Sequence, residues 1–214
     1  DTPAETAGGT CRVLLVNGSP HENGNTYIAL TQITAFLKEK GHDVEILQVG
    51  IKDFKGCTAC SACLKSGKCI VNDEMNDYVA KMIASDAIIL GSPVHYAGVS
   101  GQMKCFLDRA FYLATRNCEL KGKVGAAVVA VRRTGGSTAL DCLMKFLNYG
   151  EMVIANGCYW PVIHGWKAGE VLQDEEGLDT LNLLAQNIDW LLSLKETGKP
   201  YPDTKKRRMT SFIR

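Results

Sequence analysis

The tightest constraint on this chain is a set of short apolar runs, hydrophobic on both faces, each broken by a turn of small residues. Val13-Leu14-Leu15-Val16 ends in Asn17-Gly18-Ser19-Pro20, and Ala87-Ile88-Ile89-Leu90 ends in Gly91-Ser92-Pro93. Val124–Val131 runs into Arg132-Arg133-Thr134-Gly135-Gly136. Continuous apolar runs between turn signals describe strands buried on both sides. Such strands need helices on both faces, and the intervening sequence supplies them. Helical spacing runs from about Asn25 to Lys40 through Ile28, Leu30, Ile33, Phe36 and Leu37, and Gly41 stops it. Further helical stretches cover Asp73–Ala84, Gln102–Thr115, Ser137–Tyr149 and Leu178–Leu194. Val44–Val49 has strand character, and Met152–Ile154 with Tyr159–Ile163 is expected to form a fifth strand region. The alternation predicts an α/β fold: a doubly wound five-stranded parallel sheet with helices on both faces.

A chain of 214 residues holds one such core. No repeat or linker divides it. The expected organisation is a disordered or appended segment at 1–10, one domain at 11–198 with a cysteine-rich insert at 56–72, and a basic tail at 199–214. A formal net charge of +1 gives no pull towards nucleic acid or an anionic membrane. No apolar run approaches the ~18 residues of a membrane span. Asp1–Thr10 lacks a basic stretch followed by an apolar core, so it does not read as an intact signal peptide. Nine cysteines, an odd number on an α/β-patterned chain, argue against a secreted disulfide scaffold and for a reducing, cytoplasmic setting.

In parallel sheets, ligands bind beyond the carboxyl ends of the strands. The first such loop, Gly18-Ser19-Pro20-His21-Glu22-Asn23-Gly24-Asn25-Thr26, joins a strand to a helix. Its glycines free backbone N–H groups, its Ser, Asn and Thr side chains are short donors, and the helix N-terminus favours a phosphate. It is neither a Walker loop nor a dinucleotide-binding Gly-x-Gly-x-x-Gly. A polar turn capped by Asn or Thr is the structural alternative. The second loop, Ser92-Pro93-Val94-His95-Tyr96-Ala97-Gly98-Val99-Ser100, suits a wall lying flat on a planar ring, or else Tyr96 merely covers core. The third, Arg132–Ser137, offers small residues for close approach and cations for an anionic ligand.

Four cysteines fall in a Cys57-x-x-Cys60-x-x-Cys63-x5-Cys69 pattern beside Gly56 and Gly67. Soft ligands this close together can wrap one cubane cluster. Zinc fits less well, because four-cysteine zinc sites use two separated Cys-x-x-Cys knuckles. Free or redox-active thiols are the other reading. The remaining five cysteines lie in apolar or helical surroundings and read as structural.

The Gly-Ser-Pro…Gly-Asn-Thr loop, the Ser-Pro-Val-x-Tyr…Ser-Gly-Gln-Met-Lys…Phe-Leu-Asp-Arg segment and the Arg-x-Gly-Gly loop occur together and in order. The chain thereby resembles the NADPH-dependent FMN reductase and iron–sulfur flavoprotein branch of the flavodoxin superfamily, from about Val13 to Leu194. The resemblance implies a flavodoxin-like fold, FMN as cofactor and NAD(P)H as electron donor. Ser19, Pro20, Asn25 and Thr26 would hold the FMN phosphate. Pro93, Val94, His95, Tyr96, Ala97 and Gly98 would line the isoalloxazine ring, and Arg133, Thr134, Gly135 and Gly136 would close its other side. The cysteine pattern also resembles the compact motif of iron–sulfur flavoproteins, which implies a [4Fe–4S] cluster on Cys57, Cys60, Cys63 and Cys69. FMN reductases without a cluster carry a similar loop, so both readings stay open. The resemblance further implies a homodimer or homotetramer.

Flavin chemistry needs no acid–base dyad from the protein. His95 and Tyr96 are the nearest candidates for substrate polarisation or proton supply, although a histidine beside a proline turn is often structural. The expected function is hydride transfer from NAD(P)H to FMN and reduction of a small acceptor: a quinone, flavin, azo or nitro compound. The alternative is an iron–sulfur flavoprotein carrier that passes electrons to a protein partner. The even charge balance favours the enzyme. Tyr159–Gly165 is a candidate wall of the substrate pocket or a subunit contact. Lys205-Lys206-Arg207-Arg208 reads as a solvated terminal segment. Met209–Arg214 resembles the ending of iron–sulfur flavoproteins, with Phe212-Ile213 expected to pack against something.

Overall fold

A computed structural model of the chain describes residues 9–202. Strands β1 (Arg12–Asn17), β2 (Asp43–Gln48), β3 (Ala87–Pro93), β4 (Val124–Val131), β5 (Val153–Ile154) and β6 (Val162–His164) form one sheet. Its order is β2-β1-β3-β4-β5, with β6 also pairing β4, and every pairing is parallel. The helices are α1 (Asn25–Glu39), α2 (Cys63–Ser66), α3 (Met75–Ala84), α4 (Gly101–Ala114), α5 (Gly136–Tyr149) and α6 (Glu175–Glu196). This is the flavodoxin-like strand order, whose switch point lies between β1 and β3.

The apolar runs hide a period of two, because alternate side chains enter different cores. Leu14, Val16, Ile88, Leu90, Ala127 and Val129 face α3, α4 and α5, among Met82, Phe106, Leu107 and Leu143. Val13, Leu15, Ala87, Ile89, Ala126 and Val128 face α1 and α6, among Leu30, Ile33, Leu184 and Ile188. All eight residues of the central β4 are buried. A side chain on Gly91 of β3 would meet Leu30 Cδ1 at 2.8 Å, so a glycine there lets α1 lie close on the sheet.

The expected fifth strand is two pieces. β5 pairs with Val124–Gly125 at the start of β4, and β6 pairs with Val129–Val131 at its end. The chain between them leaves the ladder. Pro161 carries no N–H for it, and the exposed Tyr159 and Trp160 would sit poorly in a buried strand. Instead, Gly157 packs against the carbonyl of Thr180 on α6, where a Cβ would lie at 3.0 Å. The basic run Lys205–Arg208, the Met209–Arg214 ending and residues 1–8 lie outside the described residues. Among the described residues no helix is long and apolar enough to cross a membrane.

Candidate functional site

The loop after β1 is held from three sides. Asn17, fully buried, accepts the Ser19 N–H on Oδ1 (3.1 Å) and donates Nδ2 to Gln48 Oε1 (2.5 Å). Gln48 Nε2 then donates to the Ser19 carbonyl at 2.8 Å. Both backbone groups of Ser19 are thus engaged, and its Oγ accepts the His21 N–H at 3.1 Å. Gly50 passes directly beneath: a Cβ there would lie 2.0 Å from the Ser19 carbonyl oxygen. Beyond the loop, α1 starts at Asn25 with Gly24 as N-cap and no side-chain cap. Its leading N–H groups and the positive end of its dipole face a rigid, preformed loop, which is the arrangement that binds phosphate.

The loop after β3 closes on itself through His95 and Gly98, whose N–H and carbonyl groups exchange two hydrogen bonds of 2.9 Å. Tyr96 (φ 50°) and Ala97 (φ 60°) between them are left-handed. Such residues cost of order 1–3 kcal/mol each and persist only where the surroundings hold them. The loop after β4 does so: Gly135 (φ 89°) abuts Ala97, and a Cβ there would sit 2.8 Å from Ala97 Cα. Behind both loops, Ser100 caps α4. Its Oγ accepts the Met103 N–H (3.2 Å) and donates to the Gly18 carbonyl (2.6 Å), while its own N–H donates to Ser92 Oγ (3.1 Å). Replacing Ser100 by alanine removes the cap and a buried donor, and should lower stability by about 1–2 kcal/mol. An unchanged midpoint in urea unfolding would contradict this.

The three loops enclose an open cleft of about 950 Å³. Of the sequence-derived cofactor residues, Ser19, Pro20, Asn25, Thr26, Pro93, Val94 and His95 line it. Tyr96, Ala97, Gly98, Arg133, Thr134, Gly135 and Gly136 are not among the lining residues, and Tyr96 is fully exposed. The Asn25 side chain is already engaged: Nδ2 donates to the Lys167 carbonyl (3.0 Å) and Oδ1 accepts the Gly169 N–H (2.9 Å). It therefore ties the loop after β6 to the start of α1. That tie brings Gly165, Trp166 and Ala168 into the cleft, where the Arg132 guanidinium lies 4.9 Å from the Trp166 ring centre. Arg132 and Trp166 were not singled out individually from sequence. For Arg132 the signal was its place in the Arg132–Ser137 loop, and for Trp166 the nearby Tyr159–Gly165 stretch.

The four cysteines line a second, separate pocket. Ala59 (φ 53°) and Ser61 (φ 58°) wind the loop there through left-handed backbone. Cys57 and Cys60 are exposed, and Cys63 and Cys69 are half-buried. Cys69 is pinned by Asn76, whose Oδ1 accepts its N–H (2.8 Å) and whose Nδ2 donates to its carbonyl (2.9 Å). The wall opposite is α4: Arg109, Tyr112 and Leu113 face the pocket, and Arg116, two residues past the helix, donates to the carbonyls of Cys63 and Leu64. Among the described residues no three His, Cys, Asp or Glu side chains sit close enough to hold a single metal ion. Four cysteine sulfurs round one pocket are the soft ligand set a cubane uses, one sulfur to each iron corner. Arg109 adds a further sign of fit. Its Nε is buried and, among the described residues, has no hydrogen-bond partner.

A flavodoxin-type sheet with a glycine-containing strand-to-helix loop at its switch point is the arrangement on which nucleotide-type cofactors sit in such folds. Comparison with known proteins makes this specific. Residues 11–167 match the NADPH-dependent FMN reductase family, and the chain belongs to it. It is an FMN-dependent oxidoreductase that draws electrons from NAD(P)H. An iron–sulfur flavoprotein of Methanocaldococcus jannaschii is 31% identical over 191 residues, covering 86% of this chain and 98% of the relative. An iron–sulfur flavoprotein of Methanosarcina thermophila is 28% identical over 187 residues, covering 86% and 96%. Among solved structures, an archaeal flavodoxin superposes with a TM-score of 0.55 at 16% identity, over 84% of this chain and 98% of that one, and shows the fold.

Proposed function

We propose that the chain reduces a small acceptor, such as a quinone, flavin, azo or nitro compound, with electrons taken from NAD(P)H through FMN. The size and openness of the cleft carry this reading. About 950 Å³ is at the upper end of ligand sites and leaves room beside a cofactor for donor and acceptor in turn. FMN, when bound, supplies the hydride chemistry. The protein's part is to hold and orient it. Ser19, Thr26 and the leading N–H groups of α1 would take the phosphate, with Pro20 shaping the loop between them, while Asn25 contributes by locking the loop that carries Trp166. Pro93, Val94 and His95 would lie along the ring, with Tyr96, Ala97 and Gly98 shaping that turn. Gly135 abuts Ala97 behind that turn, and Arg133, Thr134 and Gly136 of the same loop would close the other side of the ring. Arg132 on Trp166 places a cation at the mouth for an anionic donor. His95 lines the cleft and would polarise the acceptor or supply a proton; Tyr96 would reach the acceptor only from the rim.

The cysteine pocket favours a second reading, in which Cys57, Cys60, Cys63 and Cys69 hold a [4Fe–4S] cluster and the chain passes electrons singly to a protein partner. Both readings share FMN. Steady-state NAD(P)H oxidation by the FMN-loaded, cluster-reconstituted chain separates them. Turnover with a soluble quinone or nitro compound supports the first. Negligible turnover, with electrons accepted only by a redox protein, rejects it in favour of the carrier. A chain that binds no added FMN rejects both.

A further inference from the structure

Arg109 is the least expected residue near the cysteine pocket. It lies in α4 on the face that packs Phe106, Ala110 and Leu113 into the core, and its side chain is only 2% exposed. A guanidinium so deeply buried needs acceptors for five N–H groups. Asp73 provides two, receiving Nη1 at 2.6 Å and Nη2 at 2.9 Å in a bidentate pair. The Lys55 carbonyl receives Nη1 at 3.4 Å. Nη2 also donates to Cys69 Sγ at 3.1 Å, and Nε has no acceptor among the described residues. The cation is therefore fixed from behind by a carboxylate, engaged in front with one of the four sulfurs, and left with a donor unused.

We infer that Arg109 is the positioning residue of the cysteine pocket, holding Cys69 as a preset ligand and setting the potential of the cluster bound there. This rests on the cluster reading of the four cysteines. Asn76 fixes the Cys69 backbone and Arg109 fixes its sulfur, so Cys69 keeps its place at the pocket, where Cys57 and Cys60 are exposed. An N–H bond to a ligand sulfur, together with a buried positive charge, stabilises the more negative, reduced cluster and raises its potential. A lysine could keep the charge and the Asp73 pair. It lacks the planar fork that reaches carboxylate and sulfur together.

The test uses the full chain, reconstituted anaerobically with iron and sulfide, as wild type, Arg109→Lys and Arg109→Met. FMN affinity, read by flavin fluorescence quenching, reports folding, because the flavin cleft is a separate site. The expected result is unchanged FMN affinity in Arg109→Lys, with a cluster midpoint potential lower than wild type in an EPR-monitored redox titration. Arg109→Met should also release iron to a chelator about 10–100-fold faster. Should Arg109→Met fail to bind FMN and so to fold, Arg109→Lys alone decides. Wild-type potentials and iron release in every folded variant would overturn the role of Arg109 while leaving the cluster reading intact. A wild-type chain that takes up no iron would overturn the cluster reading, and this inference with it.

Discussion

An Asp73→Ala variant should unfold in urea with a loss of about 3–5 kcal/mol relative to wild type. The figure follows from what the carboxylate leaves behind. Arg109 is buried and its charge is fixed, because the Asp73 hydrogen bonds raise its pKa further still. Removing Asp73 strands that charge in the helix-packed core, with only the Lys55 carbonyl and Cys69 Sγ as partners among the described residues. Asp73 keeps some contact with water, at 16% exposure, which places the expected loss towards the lower end. Replacing both partners, as Asp73→Leu with Arg109→Met, should restore much of the stability, because the desolvation cost disappears along with the attraction. The same pair predicts a pH effect. The hydrogen bond from Arg109 holds the Asp73 carboxyl below the usual carboxylate range. A depressed folded value gives stability that is present above the unfolded pKa, about 3.9, and is lost as pH falls through the folded value. The wild type's advantage over Asp73→Ala should therefore begin to shrink below about pH 4 and continue to fall as the pH drops through the folded value. A single variant as stable as wild type at pH 7 would show that the guanidinium finds water in solution.

The apolar runs made β1, β3 and β4 legible, because a strand covered on both faces leaves a continuous hydrophobic signature that needs no partner to be read. The helices that cover them were legible for the same reason, each to within a few residues. The break between β5 and β6 was not. Pro161 signalled it, but the two short runs on either side carry the same apolar character as a single strand. At the site, the loops after β1 and β3 stood out through their glycines and prolines, and seven of the proposed cofactor residues fall on the cleft wall. The residues that escaped notice act through distance in sequence. Trp166 reaches the cleft because the Asn25 amide clasps residues 142 and 144 positions away. Arg109 looked like the end of a helical motif, since its burial depends on Asp73, 36 positions earlier. α4 also joins the two sites in a way no local pattern encodes. Its cap, Ser100, holds Gly18 in the loop after β1, and its body, through Arg109 and Tyr112, walls the cysteine pocket. A single rigid helix thus sets the spacing between cleft and pocket.

Gly50→Ala should weaken FMN binding roughly 100-fold, with a smaller loss of global stability. Nothing in the Gly50 sequence context announces this. The position needs a glycine because of a contact 31 residues away: the added methyl would lie 2.0 Å from the Ser19 carbonyl oxygen and 2.2 Å from its carbon. Both are backbone atoms, so no side-chain rotation relieves the overlap, and the loop itself must move. Its movement breaks the Gln48 bond to the Ser19 carbonyl and disturbs the Asn17 bond to the Ser19 N–H, each worth about 1 kcal/mol. Overpacking adds about 1–3 kcal/mol. In the free protein the loop relaxes outward, and the fold loses those two hydrogen bonds, roughly 1–2 kcal/mol, in place of the clash. FMN, which needs the original loop, must drive it back, and a cost of about 3 kcal/mol appears as roughly two orders of magnitude in Kd. Gln48→Ala removes one hydrogen bond without the clash and should weaken FMN by only about fivefold to tenfold. Fluorescence titration of the apoprotein with FMN reads both variants, and urea unfolding without flavin reads their stability. Equal affinities for wild type and Gly50→Ala would mean that the Ser19 loop does not bear on the flavin phosphate, and the phosphate site would have to be sought elsewhere along the cleft.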